Sequence, residues 1–167
     1  MLPDVELAHL ILFTFHAHGT WLPDRDEGFY KNKDGLRPPD DVEAGRYRTR
    51  MGGAPADFDD RAQRVLIEAV IGAAGPLDLM IRAVATDPAH AHVLCAWTDH
   101  REPEQVQRSL KHSVSRALNL RIGQRQWLGR NGHDRRVRDE EHLVHLLEAY
   151  LPSHRGWKWD TARGWFK

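Results

Sequence analysis

Between Ala89 and Trp97 the chain is apolar apart from His90 and His92. A short run of this kind reads as a β-strand. Side chains alternate along a strand, so His90 and His92 project from one face. Two imidazoles side by side on a rigid element make half of a divalent-metal site. The competing reading is a solvated strand face with two unrelated histidines, since 11 histidines in 167 residues make chance pairs common. The neighbouring elements have to decide between the two.

Leu7–Phe15 is apolar and rich in strand formers, which predicts a first strand. Residues 19–58 are rich in Gly, Pro and Asp without a sustained period, and read as one long loop. Asp59 is placed to cap a helix from Asp60 to about Ala74, with Ala62, Val65, Leu66, Ala69, Val70 and Ala73 on one stripe. Gly75-Pro76 ends it, Leu77–Thr86 reads as a second strand, and Asp87-Pro88 as the turn into the histidine strand. Pro103 opens a helix to about Leu120 with a stripe of Val106, Leu110, Val114, Ala117 and Leu118. Residues 127–138 are irregular and basic, with a short strand near Arg135–Val137, and Asp139 caps a last helix from Glu140 to about Leu151. A tail over 156–167 holds Trp157, Trp159 and Trp165. This order predicts one α+β domain over 1–167, a ferredoxin-like antiparallel sheet with helices packed on it.

The net charge is zero, but its distribution is uneven. Residues 1–100 carry 10 Lys+Arg against 16 Asp+Glu, a balance of −6, and residues 101–167 carry 14 against 8, a balance of +6. A basic half is a candidate phosphate-binding surface. Arg108, Lys111 and Arg116 fall on the side of their helix away from the apolar stripe, and Arg130, Arg135, Arg136 and Arg138 precede the last helix. Trp21 and the tail tryptophans are candidates to stack on unpaired bases, and ordinary packing explains each of them equally well. The single cysteine, Cys95, lies in the apolar strand and reads as core, which excludes an internal disulfide and suggests the cytoplasm. No run reaches the length of a membrane span, and the N-terminus lacks the basic-then-apolar pattern of a signal peptide. No phosphate-binding loop of the G-x-x-x-x-G-K-[ST] type occurs.

The last helix carries Leu143, Leu146, Leu147, Tyr150 and Leu151 on one stripe, so Tyr150 is expected to face the sheet that holds the histidine strand. A tyrosine there is ordinarily core, with its hydroxyl at a polar margin. Beside a metal-bound phosphate the same hydroxyl can act as a nucleophile. His154 lies four residues on, one helical turn away, although Pro152 between them can kink or end the helix. A second pair, His16 and His18, sits where the first strand runs into a Gly-Thr loop, so its geometry is less fixed.

Taken in order, several stretches resemble a known family. Phe13 to Asp24, with its Gly19-Thr20-Trp21-Leu22 turn, His90–Leu94, Leu110 to Ser115, and the segment from Trp127 through Asp139-Glu140-Glu141 to Tyr150 are similar to the HUH single-tyrosine transposases, specifically the REP-associated tyrosine transposases. The resemblance covers most of the chain. It implies an HUH endonuclease fold and nicking and rejoining of single-stranded, hairpin-forming DNA through a 5′-phosphotyrosine link. It assigns Tyr150 as nucleophile and His90 and His92 as ligands of a divalent ion, Mg²⁺ or Mn²⁺. DNA would lie on the basic half, and the protein would be a monomer or homodimer. Three positions differ from the family pattern: Ala91 stands for a bulkier apolar residue, His154 stands where Asn or Gln is usual as third ligand, and the proline that often follows that ligand comes early, at Pro152. A DNA-binding protein of the same fold without catalysis is the alternative.

Overall fold

A computed structural model of the chain describes residues 9–20, 29–31, 35–51 and 54–167. In chain order the strands and helices are β1 (Leu10–Ala17), β2 (Phe29–Lys31), β3 (Gly35–Arg37), α1 (Asp41–Arg50), α2 (Asp60–Ala73), β4 (Met80–Asp87), β5 (His90–Ala96), α3 (Pro103–Arg121), β6 (Leu128–Arg136), α4 (Glu140–His145), β7 (Lys158–Asp160) and β8 (Gly164–Phe166). The last helix continues past α4 as a wider π-helical turn over Leu146–Tyr150.

Six strands form one antiparallel sheet in the order β6-β1-β5-β4-β7-β8. Its first four strands with α2 and α3 make the β-α-β-β-α-β arrangement of a ferredoxin-like fold, as the sequence predicts. α2 starts where Asp59 accepts a hydrogen bond from the Ala62 amide at 2.7 Å. α3 starts at Pro103, where Glu102 and Gln105 cap each other's backbone.

Strand alternation divides the interior into two layers. Ile11, Phe13, Phe15 and Ala17 of β1 and Ala91, Val93 and Cys95 of β5 pack against α2 and α3. Leu10, Leu12, Leu94 and Ala96 face the other way, onto Leu143, Leu146 and Leu151 of the last helix. β4 obeys the same rule after a bulge between Ile81 and Ala83, which moves Ala83 and Ala85 onto the last-helix face. His90 and His92 share the parity of Leu94, so they point toward the last helix, while α2 and α3 lie behind the sheet.

Three expectations need correction. The stretch read as a long loop contains the β2–β3 hairpin and α1, whose N-terminus Asp40 caps through a 2.8 Å bond to the Glu43 amide. Among its residues only Ala44 is buried, so α1 has no apolar stripe to betray it. The short strand near Arg135 is nine residues long, because β1 supplies a ladder that Gly129, Gly132 and Asp134 do not advertise. The Trp-rich tail is a hairpin, β7–β8, extending the sheet beyond β4. Among the described residues no helix is long and apolar enough to cross a membrane.

Candidate active site

The site is built where β5 and β1 meet the end of the last helix. His90 and His92 stand on one face of β5, and His92 is 4% exposed. His154 comes to them from the turn after the last helix. The ring nitrogens that His90, His92 and His154 can offer all lie within 4.8 Å of one another. The His92 and His154 ring centroids are 4.6 Å apart and those of His90 and His92 5.0 Å.

The regular α-helix stops at His145 and its π-helical continuation at Tyr150, so of the two outcomes open at Pro152, a kink or an end, the helix ends before it and His154 lies on the turn beyond. A proline cannot donate to the carbonyl four residues back and its ring crowds that carbonyl. The backbone widens just before it, and the Leu151 amide donates to the Leu146 carbonyl, five residues back, at 2.9 Å. A tight turn follows, closed by the His154 amide on the Leu151 carbonyl at 3.3 Å. His154 Nδ1 lies 3.0 Å from the Tyr150 carbonyl oxygen and 3.1 Å from that of Leu151. Carbonyls only accept, so Nδ1 carries the hydrogen and Nε2 keeps its lone pair.

Tyr150 is not core. It sits at the rim, 38% exposed, while Leu146 and Leu151 beside it are buried. Its hydroxyl is 3.3 Å from His92 Nε2. The other ring nitrogen of His92, Nδ1, is 2.9 Å from Thr14 Oγ1 on β1, the residue directly across the ladder. Asp87, at the end of β4, places Oδ2 3.5 Å from His90 Nε2 and accepts the Arg155 amide through Oδ1 at 3.0 Å.

Burial dominates the electrostatics. It pulls the pKa of His92 down to about 2, with the neighbouring His154, His90 and His16 adding to the effect. The ring is neutral at physiological pH, the form that ligates metal. Burial also raises Tyr150 above the usual phenol range; Arg135 opposes that shift and Asp87 adds to it. The phenol is therefore protonated at neutral pH. Cys95, buried among apolar side chains, is pushed up to about 12, as suits a core thiol.

These residues suit a divalent ion. Three imidazoles converge, two of them with Nδ1 already engaged, so one nitrogen from each can be offered to a single ion. The donor set is all nitrogen, which favours the later first-row ions over Mg²⁺.

Of the basic residues singled out in the sequence, Arg135 shares a sheet face with Leu12 and lies near enough to Tyr150 to bias its ionisation. Arg130, Arg136 and Arg138 are exposed along and just beyond the same edge strand. Arg108 and Arg116 are exposed on α3, behind the sheet. Lys111 is not on an open face as expected: it is half-buried, and its Nζ donates to the carbonyls of Gly129 at 2.6 Å and Arg130 at 3.0 Å, tying α3 to β6. Trp21 lies outside the described residues. His16 is 6% exposed with its ring edge-on to His133. Trp157 and Trp159 pack against the core, and Trp165 is 40% exposed.

Sequence reasoning missed Thr14, Asp87 and Lys158. The parity of β1 carried a signal for Thr14, which interrupts the apolar alternation opposite His92. Nothing local marks Lys158, whose buried Nζ donates to the carbonyl of His154 at 2.6 Å and of Gly156 at 3.1 Å and holds the His154 turn in place.

A solved candidate transposase from Deinococcus radiodurans R1 matches over 93% of this chain and 99% of its own, with a TM-score of 0.51 at 11% identity. The two share a fold. A REP-associated tyrosine transposase, solved bound to a REP hairpin, matches over 83% of this chain at 12% identity with a TM-score of 0.45, and the chain spans 61% of that protein's length. No protein-family model matches the sequence, and no curated protein matches it.

Proposed function

We propose that the protein is a transposase-type enzyme that nicks and rejoins single-stranded, hairpin-forming DNA through a tyrosine. One observation carries the reading: the Tyr150 hydroxyl stands 3.3 Å from His92 within a cluster of three converging imidazoles. A hydroxyl nucleophile beside a metal-binding group is the constellation that phosphoryl transfer needs. The transposase-type fold and the sequence resemblance support the same class of chemistry.

His90, His92 and His154 would hold a divalent ion, Mn²⁺ in preference to Mg²⁺. When bound, the ion polarises the scissile phosphate and offsets charge that develops as the phosphorus is attacked. Tyr150 supplies the attacking oxygen. A bond forms between that oxygen and phosphorus while the bond from phosphorus to the 3′ oxygen breaks. The proton lost by the phenol is balanced by the proton gained on the 3′-hydroxyl. The 5′-phosphotyrosine link preserves the phosphoester, so reversal by another 3′-hydroxyl rejoins strands without a nucleotide cofactor. Arg135 favours the phenolate and contacts the strand beside it, and Arg130, Arg136 and Arg138 extend a track for phosphates along the edge strand. Arg108 and Arg116 reach DNA only where it passes around that edge, and Lys111, engaged by the Gly129 and Arg130 carbonyls, shapes the edge strand instead of contacting DNA.

The test is incubation with a labelled hairpin oligonucleotide and Mn²⁺, followed by a denaturing gel. A labelled band shifted by the mass of the protein, absent with a chelator, is expected. Hairpin binding without an adduct under any divalent ion would leave a DNA-binding protein instead.

A further inference from the structure

We infer that Thr14 is a positioning residue. Its hydroxyl accepts the Nδ1–H of His92 and holds that ring with the Nε2 lone pair turned toward Tyr150 and the space between the three imidazoles. Four observations converge on this. Thr14 and His92 are Cα partners across the β1–β5 ladder, so the strand register alone places their side chains together. Their polar atoms are 2.9 Å apart. The His92 ring is 4% exposed, which removes water as the competing partner. The fourth is the atom on the other side of the ring, the Tyr150 hydroxyl at 3.3 Å from Nε2.

The direction of the two hydrogen bonds follows from acidity. A neutral imidazole has one N–H and one lone pair. Of the two hydroxyls that flank it, the phenol is the stronger acid and the better donor, so it donates to Nε2. The hydrogen then resides on Nδ1, and Thr14 is left to accept it. His154 reaches the same tautomer by another route, because backbone carbonyls face its Nδ1. Both rings are thus set with Nε2 as the free donor atom before any ion arrives. Outer groups of this kind orient ligating histidines and tune their affinity. An ion held by His92 would use the same ring nitrogen, so the orientation set by Thr14 would serve it as well.

The tautomer assignment rests on hydrogen-bond geometry, and its consequence for metal affinity rests on the proposed function; two measurements keep them apart. The first is a long-range ¹H–¹⁵N correlation on metal-free, ¹⁵N-labelled full-length protein at neutral pH. His92 is expected as the Nδ1–H tautomer in the unmodified protein and in Thr14→Ser, with the Nε2–H form gaining population in Thr14→Val. The second is titration with Mn²⁺ alone by calorimetry. Thr14→Val should bind about 10–100-fold more weakly, and Thr14→Ser within a few-fold of the unmodified protein. An Nε2–H tautomer in the unmodified protein, or Thr14→Val with unchanged tautomer and unchanged Mn²⁺ affinity, overturns the assignment. If the unmodified protein takes up no Mn²⁺ while the tautomer responds as expected, the metal-centre reading fails and the role of Thr14 stands.

Discussion

At the scale of single residues, the proposed function rests on Tyr150 as nucleophile and the histidines as ligands, and each role has a distinct expected phenotype. Tyr150→Phe removes a rim hydroxyl, not a core contact. It should abolish the covalent adduct and cost at most about 0.5–1.5 kcal/mol of stability. An adduct that persists in Tyr150→Phe, seen on a denaturing gel, would move the nucleophile elsewhere. His154 brings the third nitrogen. His154→Ala should weaken Mn²⁺ binding by at least tenfold in calorimetry, while Asn or Gln, which present an oxygen, should restore cleavage and shift preference toward Mg²⁺. Equal activity of His154→Ala and the unmodified protein with both ions would remove His154 from the site. Cys95 gives a prediction of the opposite kind. With its pKa pushed up to about 12 by burial, the thiolate form is negligible at pH 8. A chromogenic disulfide reagent should leave the folded protein unlabelled and react stoichiometrically once it is denatured.

At the scale of elements, the site depends on one short segment, residues 154–158. His154 is held from within by the carbonyls at the helix end, and from without by Lys158 on its own carbonyl. The Gly156 amide donates to the Thr86 carbonyl at 2.9 Å, and the Trp157 amide to Gln63 Oε1 at 3.0 Å. This close approach explains why position 156 is glycine: a Cβ there would lie 2.3 Å from the Thr86 carbonyl oxygen and 2.5 Å from Gln63 Oε1. Backbone cannot yield as a side-chain tip can. Gly156→Ala should therefore cost about 1–3 kcal/mol, a fall of roughly 2–4 °C in melting temperature per kcal/mol for a chain of this size. It should also weaken Mn²⁺ binding, because displacing this segment displaces His154. Gly156→Ala with an unchanged melting temperature would mean that the segment is not held as described. The π-helical turn belongs to the same arrangement. It presents Tyr150 at the rim and returns the chain so that His154 meets His92, whereas an uninterrupted α-helix would carry residue 154 a further turn along its axis.

At the scale of the whole molecule, the sheet separates two groups of arginines that the sequence treats alike. Arg135 shares the site face, and Arg108 and Arg116 stand behind the sheet on α3. Replacing a cation that contacts phosphate lowers the dependence of log affinity on log salt concentration by about one unit. Arg135→Ala should show that loss in a salt titration of hairpin binding, and Arg116→Ala should leave the slope unchanged. Equal losses would mean that DNA wraps the edge formed by β6. Much of this plan was legible from local pattern. The alternation around His90 and His92, the cap at Asp59, and the stripes of α2 and α3 all depend on neighbours within a few residues, where period and propensity act. The basic bias of the second half needed only counting. Other features had no local cause. β6 forms because β1 offers a ladder, α1 because Asp40 caps a polar segment that buries one alanine, and the helix end widens because Pro152 meets packing against the sheet. The sequence by itself determined which residues could ligate, attack or neutralise. Which of them met was decided by tertiary structure alone: Thr14 and His92 are 78 residues apart, and Tyr150 and His92 are 58 apart. Strand register and the docking of the last helix close those distances, because burying the two apolar layers of one sheet leaves a single arrangement in which Thr14, Tyr150 and the three histidines share a face.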